Sequence, residues 1–140
     1  DGRPGFLLRQ ASTMVLDGRL LFAISLPVWG VLHFLYAPGL ATLLPAWIPF
    51  HLFWIYFFGV AMAAAAVAIA TGVQAPLAAT LLGAMYLLWF VTLHLPRCFA
   101  APHNGDEWTS AFVALAMGGG SWLMAAVAAA AARRRLAPES

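Results

Sequence analysis

The sequence predicts an all-α integral membrane protein: an antiparallel bundle of four transmembrane helices with an interfacial or re-entrant segment between the first two. Three observations carry this expectation. The 140 residues are 64% hydrophobic and only 9% charged, whereas a soluble domain carries about 25% charged residues. Between Leu20 and Pro96 there is no Asp, Glu, Lys or Arg, and runs of about 18 or more apolar residues are what a hydrocarbon core of roughly 30 Å requires of a helix. The runs are continuous rather than alternating, which argues against the strands of a membrane barrel.

The elements follow from the breaks in these runs. Residues 1–15 form a polar leader, opening DGRPGFLLRQAST, ahead of a first span over about residues 16–36. The leader lacks a convincing small-residue cleavage pattern and is expected to be retained. Pro38 ends the first helix and Pro45 divides the connection from Ala37 to Ile48, so that ATLLPAW lies flat or re-enters, anchored by Trp47. A lid over a pocket is the functional alternative for this segment. The second span, about 49–71, opens at Pro49, because a proline in the first turn loses no needed hydrogen bond, and it fades in the turn TGVQAP. Pro76 opens the third span, about 76–95, and Pro96 stops it. The loop RCFAAPHNGDEWTS leads to the fourth span, about 108–132, and residues 133–140 form a basic tail.

Charge sets the orientation. Seven arginines against five acids give a net +2 and a pI near 9.2, but the arginines flank the apolar runs, so no nucleic acid is implied. Arg3, Arg9 and Arg19 precede the first run, and Arg133, Arg134 and Arg135 follow the last. This positive-inside pattern places both termini and the TGVQAP turn on the cytoplasmic side of a cell (inner) membrane, with the two longer connections outside. Cys98 is the single cysteine, which excludes an intrachain disulfide or a multi-cysteine metal site.

With that topology His33, His51, His94 and His103 all fall at the non-cytoplasmic face, with Arg97, Cys98, Asp106 and Glu107. Ser25, Trp29 and His33 recur every four residues on one helix face, as do Tyr86, Phe90 and His94. Turned inward, these faces make an outer-leaflet pocket lined by His33, His94, Tyr86 and Trp29, joined by His51 and Trp54. A mostly apolar cavity with a few convergent polar groups is the usual form of a small-molecule site between helices. The plainer alternative is that these side chains sit in the interfacial belt. Neutral imidazoles also bind metals, and His33, His51, His94, His103, Asp106 and Glu107 are the candidate ligands, although no HxxxH, HExxH or CxxC is present. A bis-histidine haem between His33 and His94 is a further alternative. Gly59, Ala63, the Ala66 to Ala70 stretch and Gly118 to Gly120 give smooth faces for close backbone approach, within the chain, in a homo-oligomer or against a larger membrane complex.

Several short motifs carry a resemblance. His33 and Phe34 followed by Pro38, PAWIP at Pro45 to Pro49, WIYFFG at Trp54 to Gly59 and HLP at His94 to Pro96 resemble the DoxX-like family of small four-helix membrane proteins, over about Leu20 to Ala126. The resemblance implies a four-helix membrane fold and an association with redox membrane complexes, since the family takes its name from subunits linked to thiosulfate and quinol oxidation. Some distant relatives look like cargo receptors or assembly chaperones, and no catalytic motif carries over. The leading expectation is therefore a redox-associated accessory module that binds a quinone or lipid and is not an enzyme on its own. A structural or assembly subunit without ligand chemistry is the second expectation, and a metal- or haem-binding redox protein the third.

Overall fold

The apolar runs form helices. The computed structural model describes residues 3–136, and no strand occurs among them; residues 1–2 and 137–140, the extremities of the expected leader and tail, lie outside the described residues. In chain order the elements are α1 (Arg3–Leu35), α2 (Ala37–Ala41), α3 (His51–Thr71), α4 (Ala75–Trp89), a π-helical turn (Phe90–His94), α5 (Leu95–Ala100) and α6 (Gly105–Leu136). Four helical stretches among them are long and apolar enough to cross a membrane: Asp17–Leu35, His51–Thr71, Ala75–Ala100 and Gly105–Arg134. At 1.5 Å per residue, a helix the length of α3 spans about 32 Å, the thickness of a hydrocarbon core. Large apolar side chains such as Leu21, Val67, Leu81 and Leu123 are more than half exposed, a surface that suits lipid. The chain reads as an integral membrane protein.

The ends of the helices have local causes. Pro38 has no N–H to give to the Phe34 carbonyl; α1 ends at Leu35, and Pro38 sits in the first turn of the short α2. Phe50 adopts a left-handed conformation, φ 57°, just ahead of α3, which turns the chain sharply out of the Thr42 to Phe50 connection. Gly72, at φ 81°, ends α3 and donates its N–H to the Ala68 carbonyl at 2.9 Å, the usual glycine stop. A Cβ there meets no neighbour, so Gly72→Ala isolates the backbone cost. It is expected to destabilise the protein by about 1 kcal/mol, read as a small drop in thermal midpoint in detergent. At α6 the Asn104 Oδ1 accepts the Asp106 N–H at 3.0 Å, and Asp106 and Glu107 complement the positive helix end.

Two boundaries depart from the sequence expectation. α1 runs back to Arg3, through the segment expected to be a separate polar leader. After Pro4 and Gly5 that segment holds no helix breaker, and proline is tolerated at a helix start. The third span does not stop at Pro96 but continues to Ala100. An α-helical Pro96 would press on the Thr92 carbonyl; the chain widens into the π turn just ahead of it, where the Leu95 N–H reaches back to the Phe90 carbonyl.

Packing is concentrated in two helix pairs, α1 with α3 and α4 with α6, joined along α3 and α4. Each pair closes on glycine. A Cβ on Gly30 would lie 3.0 Å from the Gly59 carbonyl oxygen, and one on Gly59 would lie 3.2 Å from both the Gly30 oxygen and the His33 Cβ. In the other pair the Trp122 indole lies directly over Gly83, its Nε1 donating to the Thr80 carbonyl at 3.4 Å. Ala23, Leu26, Met62, Ala66, Ile69, Ala79, Leu82 and Tyr86 fill the space between pairs. The backbones of α1 and α6 hardly approach each other; side chains such as Phe22, against Gly120, bridge them.

Candidate functional site

Where α1 and α6 stand apart, a partly open cavity of about 350 Å³ remains. α1 contributes Trp29 and His33, α3 contributes Ile55, Phe58 and Met62, and α4 contributes Tyr86 and Trp89. Leu93 and His94 reach it from the π turn, Leu40, Leu43 and Leu44 from α2 and the segment after it, and Thr109, Ser110, Val113, Ala114 and Met117 from α6. Most of this wall is apolar, and the few polar groups are what give it chemistry.

His33 is held from two sides. The missing side chain at Gly59 lets α3 close against the His33 Cβ, and the ring Nδ1 lies 2.8 Å from the Trp29 carbonyl oxygen. A carbonyl only accepts, so Nδ1 carries the hydrogen and, in the neutral ring, Nε2 keeps a free lone pair. His94 is placed by the π turn. Its Nδ1 is buried and has no hydrogen-bond partner among the described residues. The Tyr86 hydroxyl is buried as well, and its one partner among the described residues is the Met62 sulfur at 4.0 Å, a weak acceptor.

Of the six side chains expected at a pocket, Trp29, His33, Tyr86 and His94 line this cavity, while His51 and Trp54 do not. His51 Nε2 donates to the Pro45 carbonyl at 3.2 Å, and Trp54 Nε1 donates to the Pro49 carbonyl at 3.1 Å. Both tie the Thr42 to Phe50 connection to the start of α3. Trp54 also stacks on Phe58, with ring centroids 5.8 Å apart, and Phe58 meets Trp89 edge-on at 4.8 Å. It therefore supports the cavity wall from behind.

The candidate metal ligands are dispersed. No three His, Cys, Asp or Glu side chains among the described residues come together in a way that could hold a metal ion. Glu107 is engaged by Arg97 through two hydrogen bonds, Nε to Oε2 at 2.8 Å and a terminal guanidinium nitrogen to Oε1 at 2.5 Å. This fork joins the end of α5 to the start of α6, beside the turn where Trp108 Nε1 donates to the Pro102 carbonyl at 2.9 Å. His103 and Asp106 are exposed, and Cys98 is fully buried.

Sequence periodicity missed several lining residues. Phe90 was expected beside Tyr86 and His94, but the wider π turn takes it off that face and brings Trp89 and Leu93 on. Thr109, Val113 and Met117 were also missed, although they recur every four residues on α6 and spacing of that kind marks a shared face. The chain matches no protein-family model, no curated protein and no solved structure.

Proposed function

We propose that this chain is an antiparallel four-helix membrane bundle whose outer-leaflet cavity holds the head of an apolar amphiphile, a quinone or lipid, as a redox-associated accessory module without chemistry of its own. The observation that carries the reading is the convergence of His33, His94 and Tyr86 on one mostly apolar cavity of about 350 Å³, where the Tyr86 hydroxyl finds only the Met62 sulfur, at 4.0 Å, among the described residues. A buried polar group left without a strong partner costs about 1–3 kcal/mol, which a ligand oxygen within its reach would offset. Trp29, Phe58 and Trp89 supply flat walls for a ring or tail. The gap between α1 and α6 leaves a side from which an amphiphile can enter out of the bilayer.

In this reading the arginine-rich ends are cytoplasmic in the inner membrane, and the cavity faces the outer leaflet. The Thr42 to Phe50 connection is the interfacial segment. Trp47 and Phe50, 72% and 81% exposed, are its anchors at headgroup depth. The motif-level resemblance to DoxX-like proteins supports a place beside a redox membrane complex.

The test is an absorption spectrum and solvent extraction of gently solubilised protein, together with a His33→Leu/His94→Leu variant. Wild type is expected to yield a stoichiometric quinone or a single enriched lipid, and the double variant to lose it while keeping its helical content. Equal ligand content in the two proteins would sink the reading. Wild type that extracts with bulk lipid alone would move the conclusion to a structural subunit, and a Soret band would move it to haem.

A further inference from the structure

We infer that the cavity selects its ligand by hydrogen-bond direction, taking amphiphiles headed by a hydroxyl, such as an aryl diol, over carbonyl-headed counterparts of the same shape. The inference rests on the ligand-holding role proposed above and names the chemical class that role would serve.

The argument starts from one contact. The Nδ1 of His33 sits 2.8 Å from the Trp29 carbonyl oxygen, and only an N–H can bridge that distance favourably. The second ring nitrogen of the neutral side chain is therefore an obligatory acceptor. A ligand carbonyl facing it would oppose lone pair to lone pair, whereas a ligand hydroxyl would donate.

The other polar groups do not reverse this preference. His94 has no partner at its buried Nδ1 among the described residues, so no contact there fixes the tautomer, and its other ring nitrogen can present a hydrogen or a lone pair. The Tyr86 hydroxyl, left with a thioether at 4.0 Å, can donate to a ligand oxygen of either kind, because a hydroxyl oxygen accepts as a carbonyl does. Thr109 Oγ1 is already committed to the Gly105 carbonyl at 2.8 Å. The discrimination falls on His33. The Ser110 hydroxyl and the indole N–H groups of Trp29 and Trp89, residues that also line the cavity, donate to a hydroxyl oxygen as readily as to a carbonyl. Phe58 and Met117 offer neither head a strong bond, so none of these side chains offsets the mismatch at His33.

Durohydroquinone and duroquinone test this directly, since they share a ring and four methyl groups and differ only in the two hydroxyl hydrogens. Binding to the full chain in nanodiscs is measured by equilibrium dialysis, under anaerobic conditions that keep the diol reduced, with nanodiscs lacking the protein as the partition blank. Wild type is expected to bind durohydroquinone about tenfold more tightly than duroquinone, the size of one hydrogen bond gained against one mismatched.

His33→Phe should abolish that difference, and His33→Gln, whose amide can donate, should shift it toward duroquinone. Equal or tighter binding of duroquinone by wild type would overturn the inference, as would a preference that survives in both variants. Binding of neither probe above the blank would instead overturn the ligand-holding reading on which the inference stands.

Discussion

Gly59→Leu is expected to be the most damaging single substitution in the transmembrane region, with a loss of about 3 kcal/mol or more and a strongly lowered thermal midpoint in detergent. A Cβ at position 59 would already lie 2.8 Å from the Phe34 ring, 3.2 Å from the Gly30 carbonyl oxygen and 3.2 Å from the His33 Cβ. The ring can rotate away, but the carbonyl belongs to the helix backbone and cannot. A leucine therefore forces α1 and α3 apart, and overpacking of that kind typically costs about 1–3 kcal/mol even where side chains alone must move. Gly119→Leu is the control, because nothing lies within 4 Å of a Cβ there, and it should leave the midpoint unchanged. If both variants melt like wild type, the close packing of α1 on α3 is wrong. His33 is carried on the same contact, so Gly59→Ala should weaken any retained ligand in a protein that still folds.

Ala114→Phe should separate binding from stability. Ala114 is 5% exposed and forms part of the cavity wall on α6. A phenyl ring added there has a cavity of about 350 Å³ to enter, whereas elsewhere in a well-packed core it would meet neighbours. The expected result is a thermal midpoint close to that of wild type, together with at least a tenfold loss of durohydroquinone binding or of co-extracted ligand. Undiminished binding by a folded Ala114→Phe protein would remove this cavity as the site. Because α6 contributes neither histidine, this result and that of the histidine variants test the same cavity from opposite walls.

The helices were legible because their signal is long and one-dimensional. The absence of charge from Leu20 to Pro96 decides the membrane class, and Pro38, Gly72 and Pro76 each mark a boundary through a local backbone rule. The site was legible in part, for a related reason. Four-residue spacing places Trp29 with His33, and it holds as long as the helix keeps its α period. It failed at Phe90, where the approach to Pro96 demands a wider turn and the phase of the helix changes. His51 and Trp54 were placed at the pocket by nearness to a span end alone, which says nothing of the carbonyls of Pro45 and Pro49 to which those side chains donate. The contribution of α6 was hidden by chemistry: Thr109, Val113 and Met117 are ordinary residues in an apolar run, and only their distance from α1 makes them a wall.

The two glycine-closed pairs have a consequence for where the core ends. Each pair carries its own tight contacts, Gly30 with Gly59 in one and Gly83 with Trp122 in the other, and the cavity takes one wall from each. The pairs are joined through the shared core along α3 and α4, so the cavity marks the side on which that core stops short between α1 and α6. A ligand held as proposed would be a keystone, touching helices that the chain itself leaves apart.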